Sequence, residues 1–386
     1  MKNIKRLVVV NACFLVLPSY ILHFFLRVEI NLLFGAIGLF CLLISLHESR
    51  WRVTRGVSKL TLCLFGFGVV GTALSGVFSQ VLMAVSLSIS FVVTSCGWNL
   101  LTDQRSLRYI ILLTFLLIFG AVVGFVYAFS GGAPLAVIDL FGRDSFFYLT
   151  TFTNAVTGNL IRAAGIFDEP GALAMFIVLV VALNEALGVN TKWSAILLFS
   201  GLITGSFALF IIFILYVILK SKPNNILLVC FFLGLVGAAI AIDDRASTFA
   251  EEFFFKRVEV VDGRLAGDNR THQVESFFEL VDWDMTLKGQ KVTKVVYEDV
   301  DQSSNPLSIY FGYGAVIWIP YASVLVWLLY CAIFYRSHLR FPALATLMVL
   351  AQRPYLYSLY WSMMIALVLI TIYRVQITGV LQIRRI

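Results

Sequence analysis

Three short stretches hold the residues whose types and spacing could do chemistry. The first, Arg162-Ala-Ala-Gly-Ile-Phe-Asp168-Glu169-Pro170, sets an arginine and two acids directly before an apolar run. A helix dipole favours a carboxylate at its N-terminus and proline suits the first turn, so Asp168 or Glu169 reads as a helix N-cap. Capping needs one acid; it leaves Glu169 together with Arg162 unexplained. The second stretch, Asp262-Gly-Arg264 followed by Asp268-Asn-Arg270-Thr-His272, groups two arginines with an imidazole. Guanidinium forks match phosphate oxygens and suit a diphosphate better than lysines do. The plainer reading is a solvated loop face with local ion pairs. His272 could act as a base near neutral pH. The third, Gln352-Arg353-Pro354-Tyr355, embeds an arginine between two apolar runs. A charge there is costly unless it sits at a turn or in a protein-lined cavity, and it is a functional candidate by default.

The elements that must position these residues are membrane helices. The 386 residues are 60% hydrophobic and 13% charged, with mean hydropathy +0.91. Ordinary soluble domains are about 25% charged. Apolar runs of roughly 18 residues or more recur along the chain, which excludes a soluble enzyme and an outer-membrane barrel. Spans are expected near 7–26, 30–47, 57–75, 78–98, 108–129, 171–189, 193–219, 226–242, 307–334, 341–352 and 356–373. The first follows a basic N-terminus but lacks a convincing cleavage site, so it is taken as a helix rather than a signal peptide.

Charge distribution sets the topology. Trp193–Leu219 carries Thr204-Gly205-Ser206 at its middle. Read as two short half-helices that return to the starting side, it puts Lys192, Lys220 and Lys222 on one side with Arg50, Arg52, Arg55, Lys59, Arg105 and Arg108. That side then holds 17 of the 29 basic residues and only three acids, Glu48, Asp103 and Glu185, as the positive-inside rule requires. The net charge of +7 is therefore a topology signal and not a nucleic-acid one. The expected fold is an all-α polytopic integral membrane protein with about 12 transmembrane segments and both termini cytoplasmic. Residues 1–242 form the first part of the bundle, with an outer loop at 130–170. Residues 243–306 form a large periplasmic loop, and 307–386 hold the last spans. Stretches 246–261 and 270–281 mix apolar and charged residues at helical spacing and read as amphipathic surface helices. The six cysteines all lie in apolar runs without metal spacing and read as small buried residues.

Other patterns are weak. Asp282-Trp-Asp284 and Asp299-Val-Asp301 each read D-x-D, a pattern that can hold a metal with a sugar nucleotide, but on the outer side they read as loop acids. There is no phosphate-loop, H-E-x-x-H or G-x-S-x-G signature, so nothing supports an ATP-driven pump.

Arg162-Ala-Ala-Gly-Ile-Phe-Asp-Glu-Pro-Gly-Ala-Leu-Ala resembles the R-x-x-G-x-F-x-E-P-x-x-x-A segment of Wzy-type O-antigen and capsule polymerases. Gln352-Arg353-Pro354 before a final span resembles a second hallmark of that family. Thr204-Gly205-Ser206, Arg270 and the Ser304-Asn305-Pro306 segment with Gly312 and Gly314 are similar to features of the wider polymerase and ligase group. The resemblance covers most of the chain in layout and implies the C-type glycosyltransferase fold of that group. It implies a bacterial inner-membrane enzyme that joins polyprenyl-diphosphate-linked oligosaccharides, as both donor and acceptor, on the periplasmic face. On this expectation Arg162, Arg270 and Arg353 stabilise the leaving lipid diphosphate, with Arg264 as a substitute for one of them. Glu169 is the first choice for the base and His272 the second. Asp168, Gln352 and Tyr355 are substrate-binding candidates. The arginines do the work of a metal, so no metal or other cofactor is expected. A polysaccharide chain-length regulator is a candidate protein partner. The related ligases usually carry a histidine where this chain has Ser304, which weakens the ligase alternative. A lipid-linked-oligosaccharide flippase is the rival from another class, but the chain has no internal repeat and its outer charges gather on one face.

Overall fold

A computed structural model describes, besides isolated positions, residues 55–76, 78–140, 143–157, 160–167, 169–189, 191–220, 259–261, 264–265, 281–289, 306–335, 337–357 and 359–378. The spans expected near 7–26, 30–47 and 226–242 lie outside these residues, apart from His47 at the edge of one. The chain divides into two compact units, Met1–Ile110 with Ala182–Val189 and Arg270–Ile386, and Ile111–Val181 with Asn190–Asn269. The described chain is mostly helical. Among the described residues five helices are long and apolar enough to cross a bilayer, which marks a membrane protein.

In the first unit, α1 (Arg55–Ser75) and α2 (Phe78–Leu101) form a helical hairpin. Their close approach depends on small residues: a Cβ on Gly68 would lie 2.6 Å from the Cβ of Ala84. Small-residue seams of this kind let helices pack where lipid supplies no hydrophobic drive. The N-terminal part of α3 (Gln104–Phe129) completes this region. Buried hydroxyls tie α2 to the last helix, which runs Leu359–Thr378. Ser90 and Ser362 share a 2.6 Å hydrogen bond, and Trp98 Nε1 donates to Thr371 Oγ1 at 3.0 Å. Arg374 lies over the Trp98 ring at 4.5 Å and donates to the Ser95 carbonyl at 3.2 Å.

The second unit holds the remainder of α3 and a feature that the all-α expectation lacks. The outer loop contains β1 (Ala136–Leu140), β2 (Arg143–Tyr148) and β3 (Thr151–Thr153) in an antiparallel sheet of order β1-β2-β3. A two-residue ladder follows, β4 (Val156–Thr157) with β5 (Leu160–Ile161). The physical reason is composition: the stretch is rich in Val, Ile, Phe, Tyr and Thr, and Gly142 and Gly158-Asn159 punctuate it.

α4 (Pro170–Leu187) starts at the expected proline and is buried along almost its entire length. Its first part belongs to the second unit, while its last residues, Ala182–Leu187, belong to the first. Next, the apolar run from Trp193 breaks as expected. α5 (Thr191–Gly201) has 11 residues, a 3-10 turn covers Leu202–Thr204, and α6 (Phe207–Lys220) has 14. Neither reaches the roughly 20 residues of a full span. Phe199 and Phe213 would stand about 21 Å apart on one straight helix, yet their ring centroids are 6.2 Å apart. The chain therefore doubles back at Thr204-Gly205-Ser206, where Gly205 takes the left-handed φ of 55°.

A second short ladder, β6 (Val260–Val261) with β7 (Arg264–Leu265), corrects the amphipathic helix expected over 246–261 at its end. Asp262-Gly263 between the strands is a hairpin-turn dipeptide, and that local chemistry overrides the helical period. Nearly all of the helix expected over 270–281 lies outside the described residues.

The remaining described elements belong to the first unit. α7 (Trp283–Lys288) packs on α8 (Ser308–Tyr313) through Met285 and Phe311. The span expected over 307–334 is divided at Gly314 into α8 and α9 (Ala315–Phe334). α10 (Ser337–Gln352) and α11 (Leu359–Thr378) follow. The Tyr321 hydroxyl donates to the Leu350 carbonyl in the last turn of α10, a group that the helix itself cannot satisfy. Cys96 and Cys331 are buried as expected, whereas Cys63 is exposed on α1. Leu62, Leu112, Phe119 and Val326 are more than half exposed; facing lipid, such side chains need no cover.

Candidate functional site

The Arg162 segment is built from the sheet outward. Arg162 directly follows β5, and its N–H donates to the Ala155 carbonyl, which extends the ladder by one residue. Ala164 and Gly165 then run beside β3. Phe152 N–H donates to the Gly165 carbonyl at 2.8 Å, and Ala164 N–H donates to the Phe152 carbonyl at 3.0 Å. The hydroxyl of Thr151, fully buried, accepts from Gly165 N–H at 2.7 Å and from Ala164 N–H at 3.1 Å. Gly165 takes φ +60°, a conformation open to glycine, and this turn leads through Phe167 toward Glu169 and Pro170. Glu169 precedes α4 in the N-cap place, half-buried, and its carbonyl accepts from Ala172 N–H.

From this platform the Arg162 side chain reaches the helical hairpin. Its Nε donates to the Thr204 carbonyl at 3.2 Å. That carbonyl ends a helical turn, where the backbone carries partial negative charge and lacks an internal donor, so a cation fits. The Thr204 hydroxyl accepts from Ser206 N–H, and the Ser206 carbonyl accepts from Phe210 N–H to start α6. The segment is therefore tied at both ends: Thr151 holds its backbone and the Thr204 carbonyl accepts from its cation.

The second site segment belongs to the first unit. α10 ends at Gln352 because Pro354 disfavours helix at the residue before it, and Arg353 N–H closes the helix on the Val349 carbonyl. Arg353 Nη1 donates to the Tyr355 hydroxyl at 2.9 Å, and its guanidinium carbon lies 5.7 Å from the Tyr355 ring centroid. Tyr355 in turn stacks on Trp361 at 6.1 Å. Pro354 and Leu356 are buried, which anchors the segment on both sides of the arginine's neighbour.

The structure thus brings Arg353 together with Tyr355 and places Gln352 beside them at the helix end. Arg162 and Glu169 share the other unit, with Glu169 seven residues along the same segment. Arg264 sits on the short strand β7. Asp168, Arg270 and His272 lie outside the described residues. Thr151 has no distinguishing signal in the sequence, since a buried threonine in a loop is read as neutral. Thr204 does carry one, the small-residue break in an apolar run. The first D-x-D pattern is accounted for structurally. Asp282 caps α7 by accepting from Met285 N–H at 2.7 Å, and Asp284 pairs with Lys288 at 2.7 Å.

No protein-family model, curated protein or solved structure matches this chain.

Proposed function

We propose that this chain is a polysaccharide polymerase of the Wzy type. It sits in the bacterial inner membrane with both termini cytoplasmic and joins polyprenyl-diphosphate-linked oligosaccharide units on the periplasmic face. The observation that carries the reading is the Arg162–Thr204 hydrogen bond. Two segments 42 residues apart, each resembling the same enzyme group on sequence grounds, meet through it. A guanidinium held beside a helical-hairpin apex suits a developing phosphate charge, because a preorganised donor costs no reorganisation in the reaction.

In the proposed step the acceptor sugar hydroxyl attacks the donor's anomeric carbon. The new carbon–oxygen bond forms as the anomeric bond to the lipid diphosphate breaks, and the diphosphate leaves with the electron pair. On this reading Arg162, Arg270 and Arg353 are the cations assigned to that charge. Glu169 takes the hydroxyl proton, with His272 as the second choice. Tyr355, which accepts from Arg353 and stacks on Trp361, helps to position that arginine.

The test is polymerisation in vitro, with purified protein and purified lipid-linked repeat units. Arg162→Lys keeps the charge but loses the fork; a loss of polymer by two orders of magnitude or more is expected, since one preorganised donor is worth about 100–1,000-fold. In cells the surface glycan should then stop at single repeat units, with normal protein in the membrane. Full-length polymer from both Arg162→Ala and Arg353→Ala strains would sink the assignment. Loss of nearly all surface glycan would favour a flippase instead.

A further inference from the structure

The first unit holds an apolar cavity of about 410 Å³ between α1, α2, α9 and α11, open along one side, where Leu60 and Cys63 are exposed. Along α1 its wall is Gly56, Val57, Leu60, Cys63, Leu64 and Phe67. These positions fall on one helical face and follow the axis for about 16 Å. The cavity is thus elongated along the helices, and its wall is almost wholly hydrocarbon. Such a space does not hold ordered water, which needs several polar partners. It suits a single extended chain.

One end of the stripe is chemically distinct. Gly56 lies against the Tyr373 side chain, with a built Cβ only 2.7 Å from the Tyr373 hydroxyl. At this end Arg55 opens α1, and Lys59 follows one turn later on the edge of the lining face; both are exposed. The first turn of α1 carries no acid. A basic mouth on an apolar cavity complements an amphiphile with an anionic head.

We propose that this cavity is a lipid site that takes one acyl chain of an anionic phospholipid, with the phosphate at Arg55 and Lys59. The proposal rests on the membrane spans alone and does not depend on glycan polymerisation. The test uses the full-length protein in vesicles of phosphatidylglycerol or of phosphatidylcholine, each with a trace of the same lipid carrying a photoactivatable acyl chain. Cross-linked residues are located by peptide mass spectrometry. In phosphatidylglycerol the label should fall on Leu60, Cys63 and Leu64 in preference to the outward Leu62 and Phe65. It should drop roughly tenfold in the Arg55→Gln/Lys59→Gln double variant, because basic groups near an anionic surface supply such factors and exposure screens part of them. A similar drop is expected for the unaltered protein in phosphatidylcholine. Equal labelling in both vesicles, or no effect of the double variant, would overturn the headgroup assignment. An absence of label on the lining face in either vesicle would mean that protein fills the cavity, from this chain or a second copy. Displacement of the label by a polyprenyl phosphate, but not by added phosphatidylglycerol, would give the cavity to the glycan donor instead.

Discussion

Thr151→Val is the most informative single change at the Arg162 platform. Valine matches threonine in shape, so packing is nearly kept and only the hydroxyl is lost. Gly165 N–H has that hydroxyl as its acceptor at 2.7 Å, and Ala164 N–H shares it with the Phe152 carbonyl. One buried donor is then orphaned outright and a second loses part of its bonding. An orphaned buried donor costs about 1–3 kcal/mol, and the shared one adds a fraction of that, for a total of about 2–3 kcal/mol. Thr151→Ser keeps the oxygen and deletes one buried methyl, a cost of about 1 kcal/mol. The assay pairs thermal unfolding of detergent-solubilised protein with in vitro polymer length. Valine should lower the unfolding temperature clearly more than serine does and, on the proposed function, should impair polymerisation because Arg162 loses its anchored backbone. Should valine match the unaltered protein in both measurements while serine is worse, the methyl and not the hydroxyl would be holding the turn, and the argument for a fixed Arg162 would fall.

Other expectations concern the first unit and the loop. Gly68→Leu should cut membrane yield, since the new side chain starts 2.6 Å from the Ala84 Cβ and over-packing costs about 1–3 kcal/mol or more; a yield equal to the unaltered protein would refute the α1–α2 seam. On the proposed function, Tyr355→Phe, which removes the hydroxyl that accepts from Arg353, should lower polymerisation several-fold and Arg353→Ala should abolish it; equal effects of the two would show that Arg353 acts only through Tyr355. Asp282→Ala should destabilise α7 by about 1 kcal/mol, as loss of an N-cap does, read as faster proteolysis within Trp283–Lys288.

The sequence was most legible where one force dominates. Long apolar runs fix α1 to α4 and α9, because lipid demands length and hydrocarbon and little else. The break within Trp193–Leu219 was visible for a similar reason: Thr-Gly-Ser interrupts a run that charge symmetry already required to turn back. Pro354 announced the end of α10. The two antiparallel ladders between Ala136 and Ile161 are missed when 130–170 is taken only as an outer loop between spans, since their signal is the β-branched and aromatic content. Val260–Val261 pairs as a strand with Arg264–Leu265, and the Asp-Gly dipeptide in the sequence between them is a hairpin signal that helical periodicity does not register. At the site, the arginines stood out as charges where charges are costly. Of the groups that hold the Arg162 segment, Thr204 is marked by the small-residue break, whereas the hydroxyl of Thr151 acquires meaning only once the chain has folded back on itself.

The enclosure of α4 has a consequence for biogenesis. A helix wrapped by protein on nearly every side cannot enter the bilayer in that state, because segments of the chain that come after it are synthesised later. It must first stand in lipid and be surrounded afterwards, as two-stage assembly describes. Its sequence therefore answers two masters in turn: enough hydrocarbon to wait in the membrane, then a surface fitted on all sides. Asn184 and Glu185, both buried near its end, belong to the second stage. A chain interrupted before its later helices would leave α4 facing lipid on the sides that the finished protein covers.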